Sequence, residues 1–86
     1  MSDWSWEYDP DEEHVSAGLP PGVMAEVERL ATELAALGRD AEKVGRSPRS
    51  EGGVRHFDFL GGRGFLSFLV VPRHCCVYVC DITWYG

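Results

Sequence analysis

From Pro21 to Leu37 the apolar residues Val23, Val27, Leu30, Leu34 and Leu37 recur at steps of three and four, flanked by Met24, Ala31 and Ala35. That spacing is one stripe of an α-helix, and Glu26, Glu28, Arg29, Thr32 and Glu33 fill its other side. Gly38 follows where a left-handed residue closes a helix end. Nearer the start, Trp4, Trp6 and Tyr8 alternate with Ser5 and Glu7, the period of a strand with one aromatic face, and Asp9-Pro10 ends it. Asp11 to Ala17 then predicts a short helix, with Asp9 as N-cap, Pro10 at the first helical position and Gly18 as its breaker.

Residues 45 to 53 offer no apolar side chain and three glycines, so an exposed connection is expected there. Beyond it the chain turns to aromatic and β-branched runs: Val54 to Leu60, Gly64 to Val71 and Cys75 to Trp84. Gly61-Gly62-Arg63 and Pro72-Arg73-His74, which separate them, are of hairpin length, so the three runs predict an antiparallel meander. Strict alternation puts Arg55, Phe57 and Phe59 on one face of the first run, toward the helix, and Val54, His56, Asp58 and Leu60 on the other. In the last run it opposes Cys76, Tyr78, Cys80, Ile82 and Trp84 to Cys75, Val77, Val79, Asp81 and Thr83. The second and last runs are apolar on both faces, which predicts central strands and points to a partner, or a second copy of the chain as a homodimer, on the uncovered side.

Residues 1–86 therefore read as a single α+β domain of order β-α-α-β-β-β. A short helix and a long helix pack on one face of a mostly antiparallel four-stranded sheet.

The charge of −6 is concentrated at the start, because Asp3, Glu7, Asp9, Asp11, Glu12 and Glu13 precede every Lys and Arg, and residues 14 to 86 sum to zero. A strongly basic nucleic-acid-binding surface is excluded. No apolar run approaches the ~18 residues needed to cross a bilayer, and the acidic start is unlike a signal peptide, so a cytoplasmic protein is expected. Cys75, Cys76 and Cys80 are odd in number and packed into one apolar run, a poor basis for a disulfide framework. With His74 they are four potential ligands in seven positions, but alternation separates Cys75 from Cys76 and Cys80, so no metal is expected. The glycine pairs do not open a helix after a strand, so no phosphate-binding loop and no cofactor are expected. Trp4, Trp6 and Tyr8 are assigned to the core or to a protein partner rather than to base stacking, since their neighbours are acidic.

In the order and spacing of its segments the chain resembles the RelE/ParE superfamily of small toxins from type II toxin-antitoxin modules. The resemblance runs from Trp4 to Tyr8 through Leu19-Pro20-Pro21-Gly22-Val23, Lys43-Val44-Gly45, Val54-Arg55-His56-Phe57 and Gly64-Phe65 to Val77-Tyr78-Val79 and Ile82 to Gly86. It implies a microbial-ribonuclease-like α+β fold and a cognate antitoxin as partner. For the RelE branch it implies cleavage of mRNA on the ribosome, and for the ParE branch action on DNA gyrase. The family's basic second-strand face falls on His56 and Asp58, its third-strand arginine falls on Leu66, and its tail has no counterpart after Tyr85-Gly86. An endoribonuclease with a degenerate site and a non-catalytic interaction module on the same fold are both left open. RNA cleavage through the 2′-hydroxyl needs a base, an acid and a cation, and the side chains available are His56, Arg55 and Tyr78 as catalytic candidates, Arg63, Arg73 and Lys43 as nucleic-acid-binding ones, and His74 and Tyr85 as further acid-base groups.

Overall fold

The computed structural model describes residues 3–46 and 53–86; most of the connection expected between 45 and 53 lies outside the described residues. The element order is β1 (Ser5–Tyr8), α1 (Glu12–Ser16), α2 (Pro21–Leu37), β2 (Arg55–Phe59), β3 (Gly64–Val71) and β4 (Cys76–Trp84). Three 3-10 turns, Gly38–Lys43, Leu60–Gly62 and Pro72–His74, follow α2, β2 and β3. The sheet order is β1-β4-β3-β2, with β2, β3 and β4 antiparallel to their neighbours and β1 parallel to β4. The predicted α+β class, order and layering hold, and the two doubly apolar strands are the central ones.

Helix α2 starts on Pro21, where a missing N–H is harmless, and buries Val23, Val27, Leu30, Ala31, Leu34 and Ala35. These pack on Leu66, Phe68, Val77, Val79 and Ile82 from the two central strands. A Val or Leu taken from water contributes about 1.5–3 kcal/mol, so this stripe, rather than intrinsic propensity, holds the helix. Gly38 ends it with φ +61, and a Cβ there would stand 3.1 Å from the Trp4 indole, so the residue serves both the turn and the close approach of β1. The 3-10 turn that follows was not anticipated. Its buried Ala41 continues the apolar pattern of α2 past the glycine.

Two local expectations are corrected. The cap of α1 is Asp11, not Asp9: its Oδ1 accepts from the His14 N–H at 2.9 Å, so the helix begins after the proline rather than on it. Strict alternation in β4 also fails. Ser67 pairs with Asp81 while Phe68 pairs with Val79, leaving Cys80 as a bulged residue between them. The bulge exchanges the faces of everything after it, so Ile82 and Trp84 join Val77 and Val79 under the helices, and Asp81 and Thr83 join Cys76 and Tyr78 on the opposite side. Cys75 lies outside the strand, at φ +50.

Candidate functional site

Directly paired residues share a face, so the register fixes what the uncovered side of the sheet presents. Its cross-strand rows are His56, Ser67 and Asp81; Asp58, Phe65 and Thr83; Leu69, Tyr78 and Glu7; and Val71, Cys76 and Ser5. No helix covers this face among the described residues. Two clusters of chemical side chains stand on it.

The first is at the β2 edge. Arg46 forms an isolated antiparallel bridge with His56, its N–H donating to the His56 carbonyl at 2.8 Å. The approach is allowed by Gly45, which has φ +77 and whose absent Cβ would meet the His56 oxygen at 2.2 Å. From the covered side, the Arg55 guanidinium donates to the Val44 carbonyl at 2.8 Å and the Gly45 carbonyl at 3.3 Å. With its backbone so held, Arg46 donates to Asp58 Oδ1 at 2.7 Å and lies 5.4 Å from the centre of the Phe65 ring. His56 meets Phe65 edge-on at 5.4 Å between centroids, and Tyr85, 69% exposed, tilts against it at 6.3 Å.

The second cluster is at the other end. Tyr78 and His74 are bonded through Oη and Nδ1 at 2.9 Å. Partial burial, with Cys76, Glu7 and Asp9 nearby, pushes the Tyr78 phenol above its usual range. The Cys76 and Cys80 thiols are also pushed up, chiefly by burial. They stay protonated and unreactive near neutrality.

The sequence candidates separate accordingly. Arg55 lies on the covered face and supports the Arg46 segment, so it does not meet His56. Tyr78 sits one row and two strands from His56, about 12 Å at ordinary strand spacings, and pairs with His74 instead. Arg63, in the β2–β3 turn, packs over Trp84 at 5.3 Å and donates to the Gly86 carbonyl at 3.2 Å. Lys43 faces Asp40 at 3.8 Å in the turn after α2, and Arg73 is exposed in the β3–β4 turn. Trp6 and Tyr8 are turned inward, donating to Thr32 Oγ1 at 3.2 Å and Glu28 Oε2 at 3.1 Å on α2, and Trp4 packs beside Gly38. Leu66, the position given to the family's arginine, is fully buried beneath α2 and takes no part in the open face. Arg46 and Phe65 were missed as site residues. The usable signal was Gly45, a glycine between the apolar Val44 and a cation.

The arrangement of helices and strands is similar to that of a solved toxin. The crystal structure of the isolated E. coli RelE toxin matches at a TM-score of 0.70, covering 96% of this chain and 85% of that one at 13% identity. The chain has the RelE fold. No protein-family model matches it, and no curated protein matches it in sequence. Carried on the RelE fold, the paired strands of the open face hold three carboxylates, Glu7, Asp58 and Asp81, with Asp9 near Tyr78 just past β1, against one guanidinium, Arg46, among the described residues. No group of three His, Cys, Asp or Glu among them is arranged to hold a metal ion, and no described helix is long and apolar enough to cross a membrane.

Proposed function

We propose that this chain is a RelE-like toxin of a type II toxin-antitoxin module, neutralised by a cognate antitoxin and directed at ribosome-bound mRNA in the cytoplasm through the open face of its sheet. The observation that carries the reading is the match of nearly the whole chain to the RelE toxin, with the helices on one face and the opposite face uncovered among the described residues. The β2 edge carries two of the three groups that cleavage through a ribose 2′-hydroxyl requires, His56 to take the 2′-hydroxyl proton and Arg46 for the phosphate, with water left to protonate the departing 5′-oxygen. With one guanidinium facing three carboxylates, transition-state charge is poorly balanced, so the cleavage rate is expected to be low.

A second reading has a specific observation behind it. The acidic excess of the same face, with Leu66 buried where the family's arginine was expected, suits an interaction module that kept the fold without the chemistry. Induction without antitoxin, followed by primer-extension mapping of cellular mRNA, decides between them. Growth arrest with new cleavage sites supports the enzyme, and arrest without them supports the interaction module. Arrest accompanied by blocked DNA supercoiling moves the target to gyrase, and unimpeded growth at confirmed soluble expression removes the toxin reading.

A further inference from the structure

We propose that Arg46 and Phe65 form a nucleotide-binding site for single-stranded RNA, the guanidinium taking a phosphodiester and the ring a base, and that Asp58 is a built-in competing anion that attenuates it. This rests on the RNA-directed reading above and names residues and a regulation that reading lacks.

An exposed arginine on a loop usually has a free backbone, but this one is fixed from three directions. Gly45 brings the chain against the His56 carbonyl, Arg55 holds the two preceding carbonyls from beneath, and the Arg46 N–H bonds to β2. The guanidinium is thereby held over Phe65, with the His56 edge and the exposed Tyr85 ring beside it. A cation next to stacking surfaces matches a nucleotide, which carries a phosphate and a planar base together. A carboxylate-bearing protein partner would use the cation and leave the rings idle.

Asp58 holds the guanidinium at 2.7 Å, yet both side chains remain more than half exposed. An ion pair so hydrated is weak enough for a phosphodiester to displace it. The carboxylate therefore lowers affinity without closing the site.

The test is a double-mutant cycle on the full chain, using fluorescence anisotropy with a short fluorescein-labelled oligouridylate. Asp58→Asn is expected to tighten binding by about threefold and Arg46→Gln to weaken it, with most of the Asp58→Asn gain lost in the Arg46→Gln background. Phe65→Leu is expected to weaken binding of the oligouridylate but not of an abasic oligomer of equal length. Measurable binding with no effect of Asp58→Asn, or with a gain that persists undiminished in Arg46→Gln, overturns the proposal and leaves the toxin reading standing. Equal binding of a polyglutamate peptide with the same coupling overturns the RNA assignment. No binding by wild type or Asp58→Asn overturns both.

Discussion

Replacing Gly45 by Ala tests the geometry on which the β2 edge depends. Two effects add at this position. The backbone has φ +77, which an L-residue adopts at a cost of roughly 1–2 kcal/mol, and the new Cβ would stand 2.2 Å from the His56 carbonyl oxygen, a separation that backbone atoms must move to relieve. Movement stretches the Arg46 N–H bond to that carbonyl and the Arg55 bonds to the Val44 and Gly45 carbonyls, with about 1 kcal/mol at stake for the first and about 1.5–3 kcal/mol for the charge-assisted pair. The expected loss is about 3 kcal/mol or more. Gly61→Ala is the matched control, since it has φ +67 with nothing within 4 Å and should lose only the conformational part, about 1–2 kcal/mol. Urea unfolding followed by circular dichroism gives both values. In a domain of this size a difference of about 2 kcal/mol also separates the melting temperatures by roughly 8–16 °C. Equal destabilisation of the two variants would refute the close approach and the Arg46 bridge that follows from it.

Other outcomes follow from the same geometry. Leu66→Arg, which restores the family's charge by sequence position, should yield unfolded or insoluble protein rather than a better ribonuclease, because it places an unpaired guanidinium under α2; soluble expression with an unchanged melting temperature would contradict the register. Phe68→Ala, at the fully buried centre of β3, should lose about 3–5 kcal/mol in urea unfolding. Tyr8 is held protonated by burial and by Glu28, so its folded-state pKa lies above the unfolded value. That contribution is complete below about pH 10 and lost as pH rises beyond it, so unfolding at pH 9 and pH 11 should show a decline that Tyr8→Phe reduces. Arg55→Ala should destabilise by about 1.5–3 kcal/mol and weaken RNA binding together, whereas Arg46→Gln should weaken binding with little change in melting temperature.

The fold was legible because its elements are periodic and its breaks are chemical. The apolar spacing of residues 23 to 37 admits one helix, Gly64 to Val71 is bounded by glycine and proline, and both hairpin connections are short, residues 60–63 and 72–75, four residues each. What escaped the pattern depends on pairing. The bulge at Cys80 leaves no mark in residues 76 to 84 taken alone, since a cysteine is acceptable on either face, and only the register with Ser67 and Phe68 reveals it. The cap fell on Asp11 instead of Asp9 for a related reason: both are acids near a proline, and the choice is made by which carboxylate reaches the His14 N–H. The candidate site was less legible than the fold. His56 and Asp58 follow from alternation, but Arg46 joins them from ten or more positions away through a bridge whose only local sign is Gly45.

The two faces of β2 are mechanically one device, and this changes how loss of function there must be read. Arg55 and His56 are neighbours in sequence and point to opposite sides, one into the layer under the helices and one toward the open face. Arg55 reaches Arg46 only through the main chain, by holding the carbonyls of the two residues before it, so removing its guanidinium displaces a cation it never touches. A loss of RNA affinity in Arg55→Ala would resemble loss of a phosphate ligand, the role that proximity in sequence to His56 suggests. Stability separates the two roles: a ligand exposed on the open face can be removed with the melting temperature intact, whereas a clamp on the covered face cannot. On the proposed reading Arg55 is a positioning residue, and the chemistry proposed for the edge falls to Arg46, His56 and Asp58.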